Sequence, residues 1–186
     1  MIENSKKIYI MLSYTGTLLS RIVKVCTMKE YSHVSVALDL KLDSMYSFGR
    51  TYPRNPFIGG FIKEEIDSGT YKLFKNTICK IYEMDVTEDQ HLALRQFIDD
   101  FMAEQDRYKF NVVGLVGTII NRPLNRENHY FCSQFVSKAL LYSDIYDFKK
   151  DIGLIKPLDF ESIPGLSLIY EGKLVDYPNY LSKICS

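Results

Sequence analysis

Residues 33–40 read HVSVALDL, a strict alternation in which Val34, Val36, Leu38 and Leu40 face one way and His33, Ser35, Ala37 and Asp39 the other. A period of two belongs to a strand, and so clean an alternation to one with a single buried face. The chain is therefore committed to a sheet with one side against a core, most simply an antiparallel one. A polar turn at Lys41 to Asp43 leads into a second short run, SMYSF, and the two are predicted to form a hairpin.

Other segments fill in around this hairpin. Residues 7–13 (KIYIMLS), 61–66 and 77–86 read as further strands. Residues 17–28 have helical spacing, with Leu18, Ile22 and Val25 on one stripe. Residues 52–60 (YPRNPFIGG) read as a loop from their prolines and paired glycines. Thr87 with Gln90 three residues on is a capping-box signature. It precedes a predicted helix striped by Leu94, Phe97, Ile98, Phe101 and Met102. Residues 110–120 (FNVVGLVGTII) are apolar nearly all round and are predicted to be a buried helix, and 132–143 is helical again. The end, LSLIYEGKLVDY, reads as a strand pair around Glu171-Gly172. Strands first and helices afterwards give an α+β class, a small antiparallel sheet packed against helices, in one domain over residues 1–186.

Composition narrows the function. Lys+Arg and Asp+Glu are 23 each, so the formal net charge is zero, which argues against a nucleic-acid partner steered by a basic surface. At 46% hydrophobic and 25% charged the chain has ordinary globular composition rather than that of a disordered one. The apolar stretch from Ile8 to Leu12 is too short for a secretory signal, and none reaches the ~20 residues of a transmembrane helix. Cys26, Cys79, Cys132 and Cys185 are scattered, without the paired spacing of zinc ligands. The expectation is a cytoplasmic protein with reduced thiols, no metal and no cofactor.

Cys132 stands at a predicted helix start, where backbone N–H groups and the macrodipole favour a thiolate. It shares a stripe with Phe135, Val136, Ala139 and Leu140, so its thiol points toward whatever that helix packs on. A cysteine nucleophile needs such a place together with a base. His33 is the candidate base. Its strand face continues with the small Ser35 and Ala37, which would let a helix end approach closely. Equally, Cys132 can be a plain core thiol and His33 a strand-edge residue with a satisfied hydrogen bond. His91 falls on a solvated helix. His129 would have to fold back across the helix start to serve as base. Cys26 and Cys79 read as packing residues.

The segment LSYTGTLLSRIVKVCTMKEYSHVSVAL (12–38), followed by YFCSQFVSKAL (130–140), resembles the circularly permuted papain-like hydrolases of the YiiX/YebB-like group. These are related to NlpC-type cell-wall peptidases and to lecithin:retinol acyltransferase. In the permuted group the histidine precedes the cysteine, as here, and IKPLDFESIPGLSLIYEGKL (155–174) is similar to the group's Pro-x-Asp region and closing strand. The resemblance implies Cys132 as nucleophile, His33 as general base and later acid, a half-barrel sheet against the cysteine helix, and an acyl-enzyme. The third polar residue of the family, usually His or Glu on the strand after the histidine, is missing from SMYSFGR. Ser47, with Tyr46 behind it, is the expected orienter by hairpin position.

Tyr14 could border the cleft and help hold an oxyanion, or be a packed aromatic with a satisfied hydroxyl. The backbone N–H of Cys132 is the other oxyanion donor. The loop TYPRNPFIGGF could cover the cleft or be a plain turn. The implied substrate is a small peptide or cell-wall-type amide. The alternatives are lipid acyl hydrolysis or transfer, with VVGLVGTII meeting lipid rather than core, and a catalytically silent binding module.

Overall fold

The computed structural model describes residues 5–16, 31–51 and 58–184. Six strands make one antiparallel sheet: Lys6–Tyr14 (β1), His33–Ala37 (β2), Met45–Arg50 (β3), Gly59–Glu64 (β4), Ile78–Val86 (β5) and Ser167–Lys173 (β8), in the order β4-β3-β2-β1-β5-β8. Lys109–Phe110 (β6) and His129–Tyr130 (β7) form a short parallel pair beside it. The helices are Gly69–Leu73 (α1), Glu88–Ala103 (α2), Val112–Ile119 (α3), Cys132–Tyr142 (α4) and Tyr177–Ile184 (α5). The α+β class and the antiparallel sheet are as the alternation predicts.

Both faces of the sheet are covered, which corrects the single buried face inferred from the alternation: in β2, Ser35 and Ala37 are as buried as Val34 and Val36. On the first, Ile8, Ile10, Leu12, Val34, Val36, Phe48 and Phe61 pack with the α2 stripe Leu94, Phe97, Ile98 and Phe101 and with Phe135, Val136, Ala139 and Leu140 of α4. On the second, Tyr9, Met11, Ala37, Met45, Cys79 and Ile81 pack with Tyr71, Leu174 and Tyr177. This explains why IYIML in β1 is apolar at both parities. Only strands covered on both sides need that pattern.

Local chemistry sets the element ends. The capping box forms, with Gln90 N donating to Thr87 Oγ1 at 3.2 Å and Thr87 N to Gln90 Oε1 at 3.0 Å. Met102, at the end of the α2 stripe, is exposed. β2 stops at Ala37, three residues short of the alternation. Asp39 draws the chain away by accepting backbone hydrogen bonds from Asp43 and Ser44 at 3.0 and 2.7 Å, an Asx-type turn that competes with the strand. Gly59 and Gly60 begin β4 rather than ending the loop. A side chain at Gly60 would meet the Tyr108 carbonyl oxygen at 2.8 Å.

Two further expectations are corrected. The closing segment is a single strand, with Gly172 paired to Cys79 inside it. The chain then makes a 3-10 turn and enters α5, whose Tyr177 is fully buried and donates to the Leu40 carbonyl at 2.8 Å. The apolar helix α3 is also not buried all round. Val113, Val116 and Ile120 are 48%, 52% and 56% exposed. The helix predicted over 17–28 and most of the possible flap lie outside the described residues. No described helix is long and apolar enough to cross a membrane.

Candidate active site

Cys132 is the first residue of α4 and His33 the first of β2. Each can therefore reach beyond its own element, and the Cys132 charge acts on the His33 ring. Both line one cleft of about 80 Å³, together with Glu64, Tyr71 and Arg50 and with the apolar Phe48, Ile62, Phe110, Leu115 and Phe131.

The histidine's other partner comes from β4. His33 Nε2 lies 2.9 Å from Glu64 Oε1. With Nε2 engaged there, Nδ1 is the ring nitrogen left for sulfur. Glu64 is itself fixed. The Ser35 hydroxyl donates to Glu64 Oε2, and Tyr71 OH donates to Oε1 at 3.4 Å and touches Ser13 Oγ at the same distance.

The pairing register accounts for this meeting. Ala37 stands opposite Met45, and Met45 opposite Glu64. Directly opposed residues share a face, so by alternation His33, Ser35, Ser47 and Glu64 all project on the second face. There the small residues make room for the carboxylate and for Tyr71. They do not admit the cysteine helix, as the sequence suggested, because α4 packs on the Val34 and Val36 side.

Electrostatics follow from these contacts. Burial alone would lower the His33 pKa. The charges of Glu64 and Cys132, together with the Glu64 hydrogen bond, outweigh it and raise the value to about 10. The imidazole is therefore held protonated at neutral pH. Burial first, and then the Glu64 charge, push the Tyr71 phenol well above its ordinary value. It stays a neutral donor to the carboxylate.

The start of α4 is tied down by buried amides. Phe131 N and Asn111 Nδ2 both donate to Gln134 Oε1, at 3.2 and 3.3 Å, while Gln134 Nε2 donates to Asn125 Oδ1 at 3.0 Å. Ser133 Oγ donates to the Ile155 carbonyl. The Pro-x-Asp segment works nearby as a cap. Asp159 Oδ2 accepts from Lys156 N at 3.0 Å at the start of the 3-10 helix Pro157–Ser162.

Of the residues singled out in the sequence, Cys132 and His33 come together and the others do not join them. Ser47 is not behind the imidazole: its hydroxyl donates to the Val34 carbonyl at 2.7 Å, and Glu64 takes that place. Tyr14 packs at the edge of the first apolar cluster, and Thr15 is the cleft residue at that end of β1. His129 Nδ1 contacts the Glu127 carbonyl at 2.7 Å and lies outside the cleft lining. His91 is half-buried on α2, with its pKa lowered by burial first. Cys79 is fully buried in β5, and burial raises its thiol to about 12, as befits a packing residue. Cys26 and Cys185 lie outside the described residues. Among those residues, no group of three or more His, Cys, Asp or Glu could hold a metal ion.

Glu64 was missed because the run KEE reads as the solvated end of a strand. Counting register through Met45 would have placed it on the histidine's face. Compared with known proteins, the chain matches no family model and no curated sequence.

Proposed function

We propose that this protein is a cysteine hydrolase of permuted papain-like, half-barrel architecture that opens an amide bond in a small peptide or cell-wall-type substrate. The observation that carries the reading is that Cys132 shares one cleft with His33, whose ring is held at 2.9 Å by the Glu64 carboxylate. A nucleophile, a base and a group orienting the base are the parts that thiol acyl transfer requires.

The Cys132 thiolate attacks the carbonyl carbon, and the carbonyl electron pair moves to oxygen. The first N–H groups of α4, that of Cys132 included, face outward from a helix start and suit that oxyanion. As the C–N bond breaks, the His33 imidazolium gives its proton to the departing amine, leaving a thioester on sulfur. Neutral His33 then takes a proton from water, whose oxygen attacks the thioester. The carboxylic acid leaves and the thiolate–imidazolium pair is restored. Glu64 keeps the ring oriented and stabilises its cationic form.

A silent binding module would be favoured by the lack of a carboxylate behind the histidine; the Glu64 carboxylate at 2.9 Å from the ring favours the hydrolase instead. Lipid acyl groups remain a second substrate class, favoured by the apolar cleft wall of Phe48, Ile62, Phe110, Leu115 and Phe131.

The test is alkylation by iodoacetamide at neutral pH with peptide mapping. Cys132 should react well ahead of Cys26 and Cys79, and His33→Ala should slow it by roughly 100-fold or more. Equal rates at all cysteines would remove the nucleophile assignment. Peptide, muropeptide and acyl-lipid libraries then separate the substrate classes.

A further inference from the structure

Helix α3 is built inside out. Its inward positions are small or polar: Asn111 at the cap is fully buried, Gly114 and Gly117 are buried, and Thr118 is 4% exposed. Asn111 Oδ1 accepts from Gly114 N at 2.9 Å, and Thr118 Oγ1 donates to the carbonyls of Gly114 and Gly153 at 3.0 and 2.7 Å. Its outward positions are the aliphatics Val113, Val116 and Ile120, spaced three and four residues apart on one face, with Leu124 just beyond at 39% exposure. A surface helix ordinarily shows the reverse pattern. Departures of this kind gather at functional surfaces.

The surroundings of this face indicate what covers it. From Tyr108 to Arg126 the chain carries Lys109, Arg122 and Arg126 and no carboxylate of its own, although Asp106 and Glu127 flank it and Asp151 accepts from Asn125 Nδ2 at 3.0 Å. All three cations are exposed. Leu115 of the same helix, and Phe110 just before it, line the Cys132 cleft.

We propose that α3 and the segment leading to Arg126 dock the protein on an anionic lipid bilayer, with Val113, Val116, Ile120 and Leu124 entering the headgroup boundary and Lys109, Arg122 and Arg126 meeting lipid phosphates. An exposed aliphatic helix face with exposed cations on the chain segments that flank it suits such interfaces, the apolar area and the charges each contributing. The proposal stands on α3 and its flanks and does not require Cys132 to be a nucleophile. It would place the mouth of the cleft beside the bilayer.

The test is flotation of the full chain with phosphatidylcholine vesicles, with and without phosphatidylglycerol. The protein should float with the anionic vesicles and be released as salt rises. Val116→Asp should cut the bound fraction by about tenfold or more, since it sets a charge where an aliphatic side chain would enter the bilayer. The double variant R122E/R126E should abolish the preference for anionic lipid. Both variants change exposed side chains, so their thermal unfolding and Cys132 alkylation rates in the absence of vesicles should match the wild type. Failure of the wild type to float, or undiminished binding by Val116→Asp, overturns the proposal. So does a concentration-dependent dimer that Val116→Asp dissolves, because a second copy would then cover the face.

Discussion

At the residue scale, the proton on His33 links the site's chemistry to its stability. Its pKa rises from 6.5 to about 10 in the folded chain, against the pull of burial and because of Glu64 and Cys132. A group raised on folding contributes stability that is fully present below its unfolded pKa. That contribution is lost as pH climbs through the folded one. Unfolding followed from pH 6 to 10 should therefore show a declining contribution from this contact in the wild type. In Glu64→Gln the decline should be smaller and should end at lower pH. The same substitution should draw the alkaline limb of Cys132 alkylation down toward the ordinary imidazole range, while Ser47→Ala leaves that limb in place. Identical pH profiles for Glu64→Gln and wild type would mean that Glu64 does not govern the ring. The contrast also marks what was legible. Cys132 and His33 are visible as residue types at the starts of their elements. Glu64 becomes visible only through the register of two hairpins, because its long side chain reaches the ring across the small Ser35.

At the element scale, the Cys132 sulfur is only as well placed as the first turn of α4. Gln134 anchors that turn through Phe131 N, Asn111 and Asn125. Gly114 is the tightest point of the arrangement, since a Cβ there would lie 2.1 Å from Asn111 Nδ2. Gly114→Ala must displace a buried amide that holds Gln134, and should cost about 1–3 kcal/mol in urea unfolding. It should also slow Cys132 alkylation although residue 114 lies outside the cleft lining. An unchanged alkylation rate would show that the amide network does not position the sulfur. Thr87→Ala, at the capping box of α2, should cost about 0.5–2 kcal/mol and leave alkylation alone.

The elements themselves were largely readable. β1, the β2–β3 hairpin, β5, α2 and α4 all follow from periodicity and caps. The failures have local causes. Asp39 ended β2 early by capturing backbone donors. Gly172 imitated a turn within β8. The apolar run of α3 concealed an outward face, because hydrophobicity without a polar stripe cannot say which side is buried.

At the scale of the whole molecule, the site joins residues 33, 64 and 132, and the first apolar cluster carries that long-range connection. Phe135 of α4 lies 5.5 Å from Phe48, 5.1 Å from Phe61, 5.9 Å from Phe97 and 5.2 Å from Phe101, measured between ring centroids. It thus ties the cysteine helix to β3, β4 and α2 at once. Phe135→Ala should destabilise the protein by about 3–5 kcal/mol, lowering Tm by roughly 6–20 °C for a chain of this length. Cys79 reports whether that loss crosses the sheet. It is fully buried on the opposite face, with its thiol raised to about 12, so it should resist alkylation until the fold opens. If the two faces share one cooperative unit, Cys79 labelling in Phe135→Ala should shift to the same lower urea midpoint as the loss of secondary structure. A Cys79 midpoint left at the wild-type value would mean that the sheet's second face, with Glu64 and Tyr71 on it, holds together after α4 has come away. The cysteine and its histidine would then belong to separately folding halves.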